Sequence, residues 1–157
     1  MRDRKKERSI KICKTCTKEY LPESNHSKYC SSLCGQHNYY NKNMLNPEWR
    51  LNKLVSMAKN RANTKELNFD IDTDHMVSLW NDGVCSITGI PFVLERPAKG
   101  KVHPYTPSID RIVPALGYVK GNVRLVVYQM NVALSEFGLA QFEEFVKLYM
   151  QQGVQFR

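Results

Sequence analysis

The sequence predicts an α+β protein with three parts: a small N-terminal metal-binding module, a helical connecting region, and a strand–loop–strand–helix core closed by a C-terminal helix. Three observations predict it. Four of the five cysteines fall within 22 residues as Cys13-x2-Cys16 and Cys30-x3-Cys34. Apolar residues between 46 and 66 recur at helical spacing, and residues 107–137 run from strand-like patterning through a Gly- and Pro-containing loop into a second strand and a helix start. The expected divisions are 1–45, a basic tail and cysteine module; 46–83, the helical connector; and 84–157, the core. At 157 residues, 42% hydrophobic and 24% charged, the chain suits one compact domain with an appended module and excludes a disordered or collagen-like protein. No apolar run approaches the roughly 20 residues that span a bilayer. The basic start MRDRKKERSIK has no apolar stretch behind it, so the expectation is a soluble, cytoplasmic protein.

The net charge of +8 is unevenly divided. Residues 1–66 carry 15 basic and 6 acidic side chains, and the remainder carries 8 and 9. Attraction for a polyanion therefore resides in the first part, which suggests a half that holds nucleic acid and a half with other work.

The cysteine spacing is that of a metal site. Thiolates are soft ligands that hold Zn2+ tetrahedrally, and a tight turn lets a close pair offer both sulfurs to one ion. Cys13, Cys16, Cys30 and Cys34 would close a four-sulfur shell with no position for water, so the expected zinc is structural. His26 and His37 are near enough in sequence to replace one thiolate, and Tyr20 and Tyr29 are the bulky residues available to cover the metal. So small a module cannot bury enough apolar area alone, and the ion would supply its folding free energy. Lys11, Lys14, Lys18 and Lys28 would then face phosphates.

Asn46-Pro47-Glu48 reads as N-cap, Pro at the first helical position and an acid in the first turn. Leu51, Leu54, Val55, Ala58 and Ala62 follow on one helical face. The other side is expected to carry Arg50, Lys53, Lys59, Arg61 and Lys65, a face able to lie along a phosphate backbone, although the same pattern also describes a solvated face. A second short helix after Asp72-Thr73 would bury Met76, Leu79 and Trp80 and end at Gly83. His75, near its start, reads as a surface residue or one that supports a site from behind, not as a catalyst. Cys85 opens CSITGIPFVLE, read as a hairpin turning at Gly89, with Cys85 as a buried small hydrophobe.

Ser108 to Ile112 read as a half-buried strand, VPALGYVKGN as a loop broken by Pro114, Gly117 and Gly121, and Val123 to Val127 as a second strand. Tyr128 to Phe137 begins a helix whose expected inner face is Met130, Val132, Ala133 and Leu134. Leu139 to Gln152 is amphipathic, with Leu139, Phe142, Phe145, Val146 and Tyr149 expected to pack inward as a brace or to form a dimer interface. A monomer or a homodimer is expected.

The stretch PSIDRIVPALGYVKGNVRLVVYQMNVAL, Pro107 to Leu134, resembles the HNH, or ββα-metal, endonuclease superfamily. The preceding AKNRANTKELNFDIDTDHMVSLWNDGVCSITGIPF looks like the lead-in of phage and bacterial HNH proteins, including homing types, and KYCSSLC, Lys28 to Cys34, like the end of their N-terminal cysteine module. The resemblance implies a DNA phosphodiester hydrolase. Asp110 and Asn131 would hold one Mg2+ or Mn2+, and Asn122 would steady the loop and the catalytic base. Phosphodiester hydrolysis needs an activated water and a cation for the charge growing on the phosphoryl and leaving oxygens. One carboxylate and one amide oxygen leave such a hard ion most of its shell for water and phosphate.

The chain departs from the family where a His usually follows the acid, for Arg111 stands there. A guanidinium, with a pKa above about 12, is a poor proton acceptor but a good bidentate phosphate clamp. His103 is then the expected base, because imidazole titrates near neutral pH and a bent Pro104–Pro107 segment would return it to the site; Tyr105, Tyr118 and a metal-bound hydroxide are weaker candidates. Arg124 joins the expected DNA contacts. Arg111 also favours a rival reading, a non-catalytic, zinc-dependent DNA-binding or packaging accessory of the same fold. RNA cleavage or junction resolution is a third, because backbone contacts carry no sequence information. The resemblance places the protein in a phage or mobile element acting in a bacterial host cell.

Overall fold

The computed structural model describes residues 8–95 and 101–152. The basic first seven residues, part of the expected DNA-holding tail, and the segments 96–100 and 153–157 lie outside the described residues. The chain divides into two units, Met1–Leu45 and Asn46–Arg157. The helical region 46–83, expected as a connector, is built into the second unit and supplies much of its larger core. Among the described residues, no helix is long and apolar enough to cross a membrane.

The first unit holds two short antiparallel strands, β1 (Lys11–Ile12) and β2 (Glu19–Tyr20), and helix α1 (Ser32–Asn43). Ser31 caps α1, its hydroxyl accepting from the Cys34 N–H at 3.2 Å. No residue of α1 is buried, whereas Cys13 is fully so. The buried residues of this unit, among those described, are Cys13, Pro22 and Met44.

In the second unit, α2 (Pro47–Lys65) starts as its sequence dictates: the Asn46 side chain accepts from the Trp49 N–H at 2.9 Å, with Pro47 at the first helical position. It buries Leu51, Leu54, Ala58 and Ala62. Helix α3 (Thr73–Ser78) is capped by Asp72, which accepts from the His75 N–H at 2.7 Å. It stops short of Gly83, because Asn81 and Asp82 both carry positive φ in a separate 3-10 turn. Strands β3 (Pro107–Arg111) and β4 (Val123–Val127) pair antiparallel over five residues, with Asp110 opposite Arg124. Helices α4 (Tyr128–Leu134) and α5 (Gly138–Gln151) follow.

The hairpin is covered on both faces. Ile109 and Leu125 pack with α2 and α3 in one cluster, while Val126 packs with Met130 and Leu134 of α4 in the other. Leu125 and Val126 are successive residues, and the two-residue period of a strand sends them to opposite sides. Fully burying side chains of this size is worth roughly 1.5–3 kcal/mol each.

Three details differ from the sequence reading. The hairpin expected at Cys85 shrinks to one bridge, Val84 to Pro91, since proline has no N–H to extend a ladder; Cys85 itself is buried in the second cluster. On α4 only Met130 and Leu134, four apart, face inward, and Val132 and Ala133 are exposed. On α5 only Leu139 and Phe142 pack against the core, leaving Phe145, Val146 and Tyr149 exposed.

The loop between β3 and β4 is clamped against the segment after α2. Tyr118 N–H donates to the Asn68 carbonyl at 2.8 Å, and Asp70 N–H donates to the Tyr118 carbonyl at 3.0 Å. Gly117 makes this approach feasible: its φ is +79°, and a Cβ there would stand 2.4 Å from the Asn68 oxygen. Gly117→Ala is therefore expected to cost about 2–4 kcal/mol, read as a lower urea midpoint at unchanged m-value. Gly121, at φ +84° with nothing within 4 Å of its Cβ position, is the control, and its Ala variant should lose only about 1 kcal/mol.

Candidate functional site

A cleft of about 400 Å³ opens in the second unit where the β3–β4 loop, the start of α4 and α2 meet, lined among others by Asp110, Arg111, Asn131, Arg61, Tyr118 and Tyr128. Asp110 is buried on β3, and its Oδ2 accepts from Arg124 Nε at 2.7 Å. Arg124, expected to touch DNA, is instead the counter-ion of this carboxylate. Antiparallel register sets the two opposite each other, and both side chains are largely buried, 17% and 4% exposed. Asp110 Oδ1 takes no hydrogen bond among the described residues.

Asn131, in the middle of α4, donates from Nδ2 to Ser108 Oγ at 2.7 Å and to the Ile109 carbonyl at 3.1 Å. A carbonyl only accepts, so the amide nitrogen must face β3. Its Oδ1 takes no hydrogen bond among the described residues. One carboxylate oxygen and one amide oxygen, twenty-one residues apart in sequence, thus line the same cleft, a donor set of the hard type that suits Mg2+ or Mn2+.

Two guanidiniums flank Tyr118, itself only 5% exposed. Arg61 donates from Nε to the Tyr118 hydroxyl at 3.0 Å and lies 5.6 Å from the ring centroid, while Arg111 lies 5.1 Å from it and donates to the Pro114 carbonyl at 2.8 Å. Cation–π contact with one fixed ring holds both charges in place. Arg124 offsets Asp110, and the lining contains no other carboxylate, so Arg61 and Arg111 leave the cleft net positive and able to seat an anion.

Arg61 is exposed, in keeping with a place on the basic side of α2, and it also lines the cleft. It falls three residues after Ala58 and seven after Leu54, which puts it on the edge of the buried stripe, and this spacing is the sequence signal for its place in the cleft. Arg50, four before Leu54, is half-buried and donates to Thr106 Oγ1 at 2.7 Å. Lys53 lies 5.4 Å over the Trp49 ring, and Lys11 is held by the carbonyls of Asn25 and Ser27. Lys14, Lys18, Lys28 and Lys65 are exposed. Ser108, Tyr128 and Ser135 line the cleft without having been singled out from sequence.

Asn122 and His103 are not cleft-lining residues. Asn122 is buried and ties the loop together: its amide donates to the carbonyls of Val113 (2.9 Å) and Gly117 (2.8 Å) and accepts from the Val113 N–H (3.0 Å). His103 was expected to return to the site as the base. Its Nδ1 instead accepts from the Tyr105 N–H at 3.1 Å, and its ring lies edge-on to Tyr105. The bend at Pro104 satisfies His103 locally and does not carry it to the cleft.

In the first unit the four cysteine sulfurs lie within 4.8 Å of one another. Cys16 and Cys30 are 3.5 Å apart and Cys30 and Cys34 3.6 Å, close to the roughly 3.8 Å edge of a tetrahedron with metal–sulfur bonds of about 2.3 Å. No histidine joins the cluster among the described residues. Burial raises the Cys13 thiol, but N–H groups of Cys16, Cys30 and Thr15 outweigh it and bring it down to about 6. Hydrogen bonding to the Cys16 and Cys34 sulfurs pushes Cys30 up to about 12. Four thiols so crowded resist joint ionisation, and a divalent cation among them relieves that resistance. The cluster can therefore hold a metal ion.

No family model matches the sequence, and no curated protein matches it. A solved structure of the rare-cutting HNH restriction endonuclease PacI is similar at a TM-score of 0.44 and 18% identity, covering 91% of this chain and 98% of that one. No weight rests on a likeness of this degree.

Removing Arg124 while keeping Asp110 strands a buried carboxylate. Arg124→Met is expected to cost about 3–5 kcal/mol in urea unfolding, and adding Asp110→Asn should restore most of it. Simple additivity of the two changes would show that the ion pair does not hold the hairpin.

Proposed function

We propose that this chain is a divalent-metal-dependent endonuclease that hydrolyses DNA phosphodiester bonds, carrying a structural zinc in its first unit. The observation that supports it most is the convergence of Asp110, Asn131, Arg61 and Arg111 on one cleft. Mg2+ or Mn2+, held by Asp110 and Asn131, would supply Lewis acidity at the phosphoryl group. Arg61 and Arg111 bind the non-bridging oxygens of the substrate, and Tyr118 fixes the angle between them. Asn122 acts at one remove, by holding the loop that carries Tyr118. In this reading the protein works as a monomer or homodimer, in a bacterial host's cytoplasm if it comes from a phage or mobile element.

Zinc suits four thiolates better than any hard ion does. Metal analysis of purified protein is expected to give one zinc per chain, absent from Cys13→Ser protein. Because the thiols must shed protons to bind, acidification should release the zinc and unfold the first unit; full zinc retention by the Cys13→Ser variant would overturn the assignment.

Supercoiled plasmid incubated with the protein is expected to become nicked or linear with Mg2+ or Mn2+ and to stay intact without either. Asp110→Ala and Asn131→Ala should each lower the rate by about a hundredfold or more. A second reading, a DNA-binding or packaging accessory without hydrolysis, is favoured by the Arg124 contact on Asp110 and by the lack of an imidazole in the cleft lining. Salt-sensitive DNA retention with no cutting under any divalent ion would select it.

A further inference from the structure

The larger concavity of the two described is in the first unit, beside the sulfur cluster, whose Cys30 is among its lining residues. It measures about 690 Å³ and is lined by, among others, Tyr20, Tyr29, His26, Lys28 and Glu23. Holding an ion requires only the two turns that carry the cysteines, yet the segment between them is braced by a separate set of bonds. The Tyr20 hydroxyl donates to the Ser27 carbonyl at 2.9 Å, the Ser27 hydroxyl to the Tyr29 carbonyl at 3.0 Å, and Ser27 N–H to the Ser24 carbonyl at 3.0 Å. Lys11 adds its ammonium group from β1 to the carbonyls of Asn25 and Ser27. Tyr29 lies against Gly35, where a Cβ would stand 3.3 Å from its ring. Both phenol rings are thereby positioned before any ligand arrives, which lowers the entropic cost of binding.

The chemistry of the lining narrows the ligand. Two held aromatic rings offer stacking area, exposed Lys28 and His26 offer charge for an anion, and Glu23 offers an acceptor for an exocyclic amino group. The volume is in the range of small-ligand sites, about 300–1,000 Å³. In a duplex each base is covered above and below by its neighbours, so only an unpaired base can present a face to these rings. We infer that this groove takes one unpaired nucleotide of a DNA strand, its base against Tyr20 and Tyr29 and its phosphate toward Lys28 and His26. The chain would then prefer single-stranded or locally opened DNA, a selectivity set in the first unit and not in the cleft of the second.

The test uses the full zinc-loaded protein without added Mg2+ or Mn2+. Fluorescence anisotropy compares a labelled 12-nucleotide single strand with its duplex at one salt concentration. The single strand is expected to bind at least about tenfold more tightly, and Tyr20→Leu and Tyr29→Leu each to weaken it about tenfold while leaving duplex affinity unchanged. Zinc content checks that each variant is folded. Should a variant lose its zinc, photocrosslinking of wild-type protein to a strand carrying 5-iododeoxyuridine decides instead, with crosslinks expected at Tyr20 or Tyr29. Equal affinity for strand and duplex, zinc-loaded variants that bind the strand as before, or crosslinks confined to residues outside 20–35 would overturn the inference. The readouts are binding and crosslinking, so failure of plasmid cleavage leaves this inference standing, and failure here leaves the cleavage reading untouched.

Discussion

Much of the second unit's chemistry depends on one side-chain amide. Asn122 spends both amide hydrogens and its oxygen on the backbone of the β3–β4 loop. A buried amide with any of these bonds missing would be costly, so the loop has few alternatives to the observed path. That path delivers Tyr118 to the contact with Asn68, and Tyr118 in turn receives Arg61 and Arg111. A residue that does not line the cleft thus settles where the cleft's positive charge lies.

The chain separates two kinds of ligand chemistry. The first unit gathers four soft sulfurs within 4.8 Å of one another, a set that can hold a metal ion. In the second, hard oxygens of Asp110 and Asn131 stand beside guanidiniums in an open cleft. The Arg124 contact satisfies the buried carboxylate from within the protein, and a protein cation therefore already holds part of the charge that a metal ion would neutralise.

Features that depend on local chemistry could be read from the sequence. The Asn46 cap, the apolar stripe of α2, the cysteine cluster, both strands of the hairpin and the placing of Asp110 and Asn131 along one cleft all follow from spacing, propensity or resemblance. What the sequence hid depends on partners far along the chain. Arg50 looks solvated until one asks which side of the stripe it edges, exposed Arg61 looks like any surface arginine until Tyr118, 57 residues on, meets it, and Arg124 looks free until strand register places it opposite Asp110. His103 misled because a flexible-looking Pro104 bend gives no hint that Tyr105 N–H already occupies its ring nitrogen. Amphipathicity likewise identified α5 as a helix but not how much of its apolar side would find a partner.

The two guanidiniums at Tyr118 reach it by different routes. Arg111 lies on the same hairpin, but Arg61 comes from a helix 57 residues earlier in sequence. Fraying of the C-terminal turns of α2 would remove half of the cleft's surplus charge while leaving the hairpin paired. Linkage makes the relation reciprocal: any anion that engages both arginines adds its binding free energy to the docking of that helix. Occupancy of the cleft and thermal resistance of α2 are therefore one coupled quantity, and amide exchange along α2 would slow as such an anion saturates the site.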